Sequence, residues 1–136
     1  MVPKAQQLVW SEAFALGDDE IDEQHQQLFE IYNGALKVLH EHQADLTPAA
    51  VLQAVFDYTE YHFVTEQALM TTLRYPDRHE HVREHQALLS VMQALVGRVD
   101  DNPTLLSDMV GLLRVWIQGH ILHTDRRLGE FLKAQR

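Results

Sequence analysis

The sequence predicts an all-α protein, an up-down-up-down four-helix bundle with an irregular N-terminal arm. Three observations carry this. Apolar residues recur at steps of three and four through four segments, the spacing of one helix face. Two helix starts are marked by a capping residue followed by proline, and a Tyr-Pro pair marks a stop. No segment alternates apolar and polar residues as a half-buried strand would.

Each element follows in turn. After an arm over residues 1–18, the first helix spans about 19–42, with Ile21, His25, Leu28, Phe29, Tyr32, Leu36 and Leu39 on one face. The second, about 48–74, begins at Thr47 as cap and Pro48 in the first turn. Its inward stripe is Val51, Val55, Tyr58 or Thr59, His62, Glu66, Leu69 and Leu73. Tyr75, Pro76 and Asp77 end it, because a residue before proline resists the helical conformation. The third, about 77–99, turns His81, His85, Leu88, Met92, Leu95 and Val99 inward. Asn102 and Pro103 then open a fourth helix, about 103–133, with Leu106, Met109, Leu113, Trp116, His120, Leu128 and Phe131 or Leu132 inward. Short connections make neighbouring helices antiparallel.

The 136 residues fit one domain, 1–136. A net charge of −9 argues against nucleic acid or an anionic membrane as partner. The absence of cysteine excludes disulfides, thiolate metal sites, iron–sulfur clusters and thiol nucleophiles. The N-terminus carries no secretory signal pattern and no segment is long and apolar enough to span a membrane, so a cytoplasmic protein is expected.

Nine histidines are the anomaly. A polar group on an apolar stripe costs free energy unless it is paired, and His25, His62, Glu66, His81, His85 and His120 all lie on such stripes. Counted from the end holding the first and third connections, His25 lies about 17 residues up its helix, His62 and Glu66 about 14 and 18, His85 and His81 about 14 and 18, and His120 about 17, at ~1.5 Å per residue. All four helices therefore aim imidazoles or carboxylates into one slab. A lone histidine on an apolar stripe is usually a satisfied core group, and a lone histidine pair is often solvated. One level of one bundle holding all of them points instead to a metal site.

The pairs His62/Glu66 and His81/His85 are four residues apart and so lie one above the other. Asp125 follows His120 by five, which is roughly 140° off that histidine in a straight helix. A local widening of the fourth helix, as in a π-bulge, would bring it in. His40 and His42 fall at the far end and are assigned to the surface. His79 and His123 lie off the stripes and read as solvent-facing or supporting groups.

The segments Ile21–Phe29 around His25, His62–Glu66, His81–His85 and Trp116–Asp125, with Trp10 in the arm, resemble the hemerythrin family, specifically its free-standing bacterial form, bacteriohemerythrin. The resemblance covers nearly the whole chain. It implies two iron ions, cycling between Fe2+ and Fe3+ and joined by an oxo or hydroxo group. His81, His85 and His120 would bind one iron, His25 and His62 the other, with Glu66 and Asp125 bridging both and one position left for dioxygen. By the same matching, Phe29, Phe63, Trp116, Ile117 and Ile121 would wall that position, although core packing alone would account for them. Ile117 stands where many relatives carry leucine.

The implied function is reversible dioxygen binding for transport, storage or delivery, without enzymatic turnover. Five neutral imidazoles and two carboxylates supply less negative charge than the four Glu and two His of ferritin-like oxidases, which also favours binding over oxygen activation. The alternatives are oxygen or nitric-oxide sensing or detoxification, or di-iron peroxidase or oxidase activity. A monomer or weak oligomer is expected, with dioxygen and a protein recipient of oxygen as partners.

Overall fold

The computed structural model describes residues 7–41, 47–102 and 104–135. A single 3₁₀ turn at Glu12–Phe14 precedes α1 (Asp19–Glu41), α2 (Pro48–Thr72) and α3 (Arg78–Val96). The fourth rod of the bundle is composite: α4 (Thr104–Gly119), a π-helical turn (His120–Asp125) and α5 (Arg126–Ala134). Helix α1 packs against α2 and α4, and α2 against α3. The described residues contain no strand, and no helix among them is long and apolar enough to cross a membrane.

Local chemistry sets the ends of these helices. The Asp18 carboxylate accepts the Ile21 amide at 3.0 Å and caps α1, while Asp22 accepts the Leu16 and Gly17 amides at 2.6 and 3.2 Å. Thr47 accepts the Ala50 amide at 3.1 Å with Pro48 in the first turn, as the sequence indicates. The proline expected to open the fourth helix, Pro103, lies outside the described residues, as does His42.

Helix α2 stops two residues before the Tyr-Pro pair. Arg74, at φ 55°, takes the left-handed conformation, so that its amide reaches Thr71 O at 3.2 Å and the Tyr75 amide reaches Met70 O at 2.9 Å. This is a Schellman ending with arginine where glycine is favoured. Arg74→Gly should therefore stabilise the protein by about 1 kcal/mol through relief of the left-handed penalty. Urea unfolding with an unchanged m value would check it.

The stripes drift from expectation in three places. In α2 the step from Glu66 runs four residues to Met70, which is fully buried, and Leu69 and Leu73 are only half-buried. Thr59 rather than Tyr58 is the buried member of its pair. In α4 Ile117 is fully buried and Trp116 half-buried, because the stripe advances by four from Leu113.

Two apolar clusters flank the polar slab. The larger contains Leu28, Phe29, Tyr32, Leu36, Val55, Phe63, Leu88, Met92, Leu113, Ile117 and Ile121. The smaller joins Leu16, Ile21, Met70, Tyr75, Leu128 and Leu132. The N-terminal arm docks on both. Leu8 exchanges two 2.8 Å hydrogen bonds with the Asn33 side chain, and Trp10, Phe14 and Phe29 form an aromatic group with centroids 4.9–5.9 Å apart. Arg126 donates to Ala13 O at 2.6 Å. Gly129 lets the arm lie directly on α5, since a Cβ there would stand 2.7 Å from Leu16 O.

Candidate metal centre

Between the two clusters, all five histidines and both carboxylates on the inward stripes converge. His25, Glu66, His85 and Asp125 are wholly shielded from solvent, and His62, His81 and His120 nearly so. The π turn accounts for Asp125. Bonding from i to i+5 closes a wider turn than the α-helix, so residues five apart return to nearly the same face, and His120 and Asp125 point inward together. His40, His79 and His123 are exposed and remain outside the cluster.

Every histidine presents Nε2 to the interior. His62 Nε2 lies 2.8 Å from Glu66 Oε2, His81 Nε2 lies 2.8 Å from Glu66 Oε1 and 2.9 Å from Asp125 Oδ1, and His120 Nε2 lies 3.1 Å from Asp125 Oδ1. His25 Nε2 is 3.1 Å from Asp125 Oδ2 and 3.4 Å from Glu66 Oε2. His85 and His120 bring their Nε2 atoms within 3.0 Å of each other.

The His81–Glu66 and His85–His120 contacts close as hydrogen bonds, whereas several of the others are short but poorly directed. His25 Nε2, Glu66 Oε2 and both Asp125 carboxylate oxygens close no hydrogen bond. Buried polar groups are rarely left this way. Buried nitrogen and oxygen atoms gathered without hydrogen-bonding partners are what a cation-binding site requires. The donor atoms form two groups, Glu66/His81/His85/His120/Asp125 and His25/His62/Glu66/Asp125, with members within 4.8 Å of one another. The two groups share Glu66 and Asp125. Imidazole and carboxylate donors without thiolate suit iron among the transition metals, so this donor set fits a pair of iron ions.

Three of the five outward Nδ1 atoms, those of His62, His85 and His120, are held by residues the sequence reading did not single out, while those of His25 and His81 have no hydrogen-bonding partner. Gln24 Oε1 on α1 lies 2.8 Å from His62 Nδ1 on α2. The Gln67 amide on α2 lies 3.1 Å from His85 Nδ1 on α3, and an Nδ1–H there requires the amide oxygen to face it. Glu84 on α3 lies 3.1 Å from His120 Nδ1 and accepts the Thr124 hydroxyl at 2.9 Å. Each partner is the immediate sequence neighbour of a donor, as are Gln24 of His25, Gln67 of Glu66 and Glu84 of His85. One residue is about 100° of helix rotation, so a neighbour lies on the flank of the stripe and reaches the next rod. That adjacency was the available signal.

Without metal the cluster is strongly proton-linked. Burial pulls His25, His81 and His120 down, but the nearby Asp125 and Glu66 carboxylates outweigh it and raise them to about 9, 9 and 10. Burial prevails at His85, which falls to about 4. Burial also acts to raise Glu66 and Asp125, yet the surrounding imidazoles hold both well below the usual carboxylate range. The hydrogen bond from His120 lowers Glu84 to about 2.

The folded metal-free chain thus holds histidine protons that the unfolded chain, with an ordinary value of 6.5, releases. That stabilisation is complete below pH 6.5 and is lost as pH rises through 9 to 10. The carboxylate contribution is present above their ordinary range and is lost as acid protonates them. In chelator, the melting temperature should therefore peak near pH 6 and fall toward pH 10. Metal affinity should rise over the same alkaline range, because metal must displace these protons. Melting curves at stepped pH, with and without metal, would measure both.

Apolar side chains close the site. Phe63 stacks on His85 with centroids 3.6 Å apart and planes 2° apart, and its centroid is 5.9 Å from that of His62. Trp116 stacks on His120 at 4.3 Å and 11°. Phe29, Ile117 and Ile121 are buried in the same apolar cluster as Phe63.

Comparison with known proteins points to a cation-binding family. The sequence model of the Hemerythrin HHE cation binding domain matches residues 16–132. The chain is 33% identical over 128 residues to a bacteriohemerythrin of Ralstonia nicotianae, covering 93% of this chain and 89% of that one. It is 29% identical to a bacteriohemerythrin of Clostridium acetobutylicum, covering 87% of this chain and 95% of that one. It is also 28% identical to myohemerythrin-1 of Phascolopsis gouldii, covering 86% of this chain and 87% of that one.

Proposed function

Because the chain belongs to the Hemerythrin HHE cation binding domain family, we propose that it holds two iron ions and binds dioxygen reversibly at them. One observation carries the reading: two groups of donors share a pair of buried carboxylates, and three of their four oxygens, Glu66 Oε2 and both of Asp125, have no hydrogen-bonding partner. His81, His85 and His120 would hold one ion and His25 and His62 the other, with Glu66, Asp125 and an oxo or hydroxo group between them. The position with fewer imidazoles would be the one open to a ligand. When bound, the iron pair would supply the electrons that dioxygen takes up on binding and returns on release.

The chain's own residues make that exchange reversible. Gln24 and Glu84 accept from Nδ1 of His62 and His120 and so leave the lone pair on Nε2, and Gln67 would do the same for His85 with its amide oxygen turned toward Nδ1. Phe29, Phe63, Trp116, Ile117 and Ile121 exclude water and anions that would displace the ligand. None of these five wall residues carries an acid or base, which supports storage or delivery of oxygen over turnover. A net charge of −9 supports a role apart from nucleic acid and anionic membranes.

The test is an anaerobic ferrous sample exposed to air. A visible charge-transfer band should appear in air and vanish under vacuum through repeated cycles. Irreversible bleaching in the first cycle, or catalytic consumption of a reductant, would replace this reading with an oxidase or peroxidase one.

A further inference from the structure

Three side chains pass support from rod to rod around the centre. Gln24 of α1 holds His62 of α2, Gln67 of α2 holds His85 of α3, and Glu84 of α3 holds His120 in the π turn. The first two partners are neutral amides and the third is a carboxylate. We propose that Glu84 is a positioning residue which, fixed by Thr124, orients His120 and adds negative charge to one metal position while the other receives none. The proposal rests on the functional reading above only for the presence of metal, not for oxygen.

The geometry supports each part. His120 Nε2 faces the donor cluster, so the proton of the neutral ring sits on Nδ1 and is donated to Glu84 Oε1 at 3.1 Å. The Thr124 hydroxyl lies 2.9 and 3.1 Å from the two Glu84 oxygens, which fixes the carboxylate against the π turn. Trp116, stacked on the His120 ring, hinders rotation of that ring. The Glu84 side chain is 36% exposed while that of His120 is 3% exposed. The carboxylate therefore keeps its charge at little desolvation cost and delivers it to a buried imidazole. A hydrogen bond to a charged acceptor is roughly twice as strong as a neutral one and makes the ring a better electron donor. The two metal positions then differ in supporting charge as well as in imidazole number.

Glu84→Gln keeps the shape and the acceptor oxygen and removes only the charge. Titrated with Co2+, the wild-type protein should bind in two steps, and Glu84→Gln should weaken one step about tenfold with the other unchanged. Glu84→Ala should approach the upper end of such effects, about 100-fold. In iron-loaded protein, the one-electron ferric/ferrous potential of the affected position should rise, by about 59 mV for a tenfold change. Thr124→Val should shift both readouts the same way by less, and it decides the matter if Glu84→Gln fails to load. Wild-type titrations and potentials in both variants would overturn the proposal, as would equal weakening of both steps, which marks general loosening. Failure of the wild type to bind oxygen reversibly, with the site-selective Co2+ effect intact, would remove the functional reading and leave this one standing.

Discussion

Glu66→Ala is expected to yield a folded chain that retains metal at neither position. Glu66 belongs to both donor groups, and its two oxygens face His62 and His81 at 2.8 Å each. Its loss would remove a shared donor and also the anion that lies against four imidazoles, those of His25, His62, His81 and His85. Metal per chain after gel filtration should fall from a full pair to less than one. The stabilisation that ligand binding gives, about 2.7 kcal/mol when free metal is a hundredfold above Kd, should disappear with it. The metal-free variant should also lose about 3–5 kcal/mol at pH 6, because protonated His25 and His81 are left without one of their two carboxylates. Glu66→Gln, which keeps one oxygen donor and the side-chain volume, should fall between. A full complement of tightly held metal in Glu66→Ala would contradict the assignment of this residue as shared.

Phe63→Ala should have the second-largest effect, and on two observables. Phe63 is 2% exposed and lies flat on His85, so truncation removes both apolar burial and a ring stack. Replacements of this kind cost about 3–5 kcal/mol, the spread reflecting how far the cavity collapses. Denaturant unfolding of the metal-free protein should show this loss. The cavity also opens a path for water beside His62 and His85, so the oxygenated state should decay faster in Phe63→Ala than in the wild type. Phe63→Leu, which refills most of the volume, should restore the lifetime more than it restores the ring contact. An unchanged decay rate in the alanine variant would mean that the wall does not protect the ligand.

The sequence discloses most of this architecture because burial and helical period are local properties. His25, His62, Glu66, His81, His85 and His120 betray themselves as polar residues on apolar stripes, and their common height follows from counting. Asp125 is legible only by exception. A spacing of five contradicts a straight helix, and the contradiction itself points to the π turn the structure contains. Gln24, Gln67, Glu84 and Thr124 are not legible in the same way. Off the stripe, a glutamine or glutamate looks like any solvated residue, and only the neighbouring rod gives it a partner. The Arg74 ending escapes sequence reading for a different reason: the left-handed position normally announces itself as glycine, and here it does not.

The π turn has an effect beyond the one carboxylate it supplies. Six residues there advance the chain by about one α-helical residue fewer in angle than they would otherwise, so everything downstream is rotated by about 100° relative to a straight continuation. Leu128 and Leu132 thereby come back into phase with His120 and seal the smaller apolar cluster, and Gly129 meets Leu16 of the arm. A single inserted residue thus acts as a phase shifter for the C-terminal rod. The placing of the His120 and Asp125 donors within it and the seating of the arm beyond it are set by the same angular offset, so a change in helical phase at 120–125 would disturb both at once.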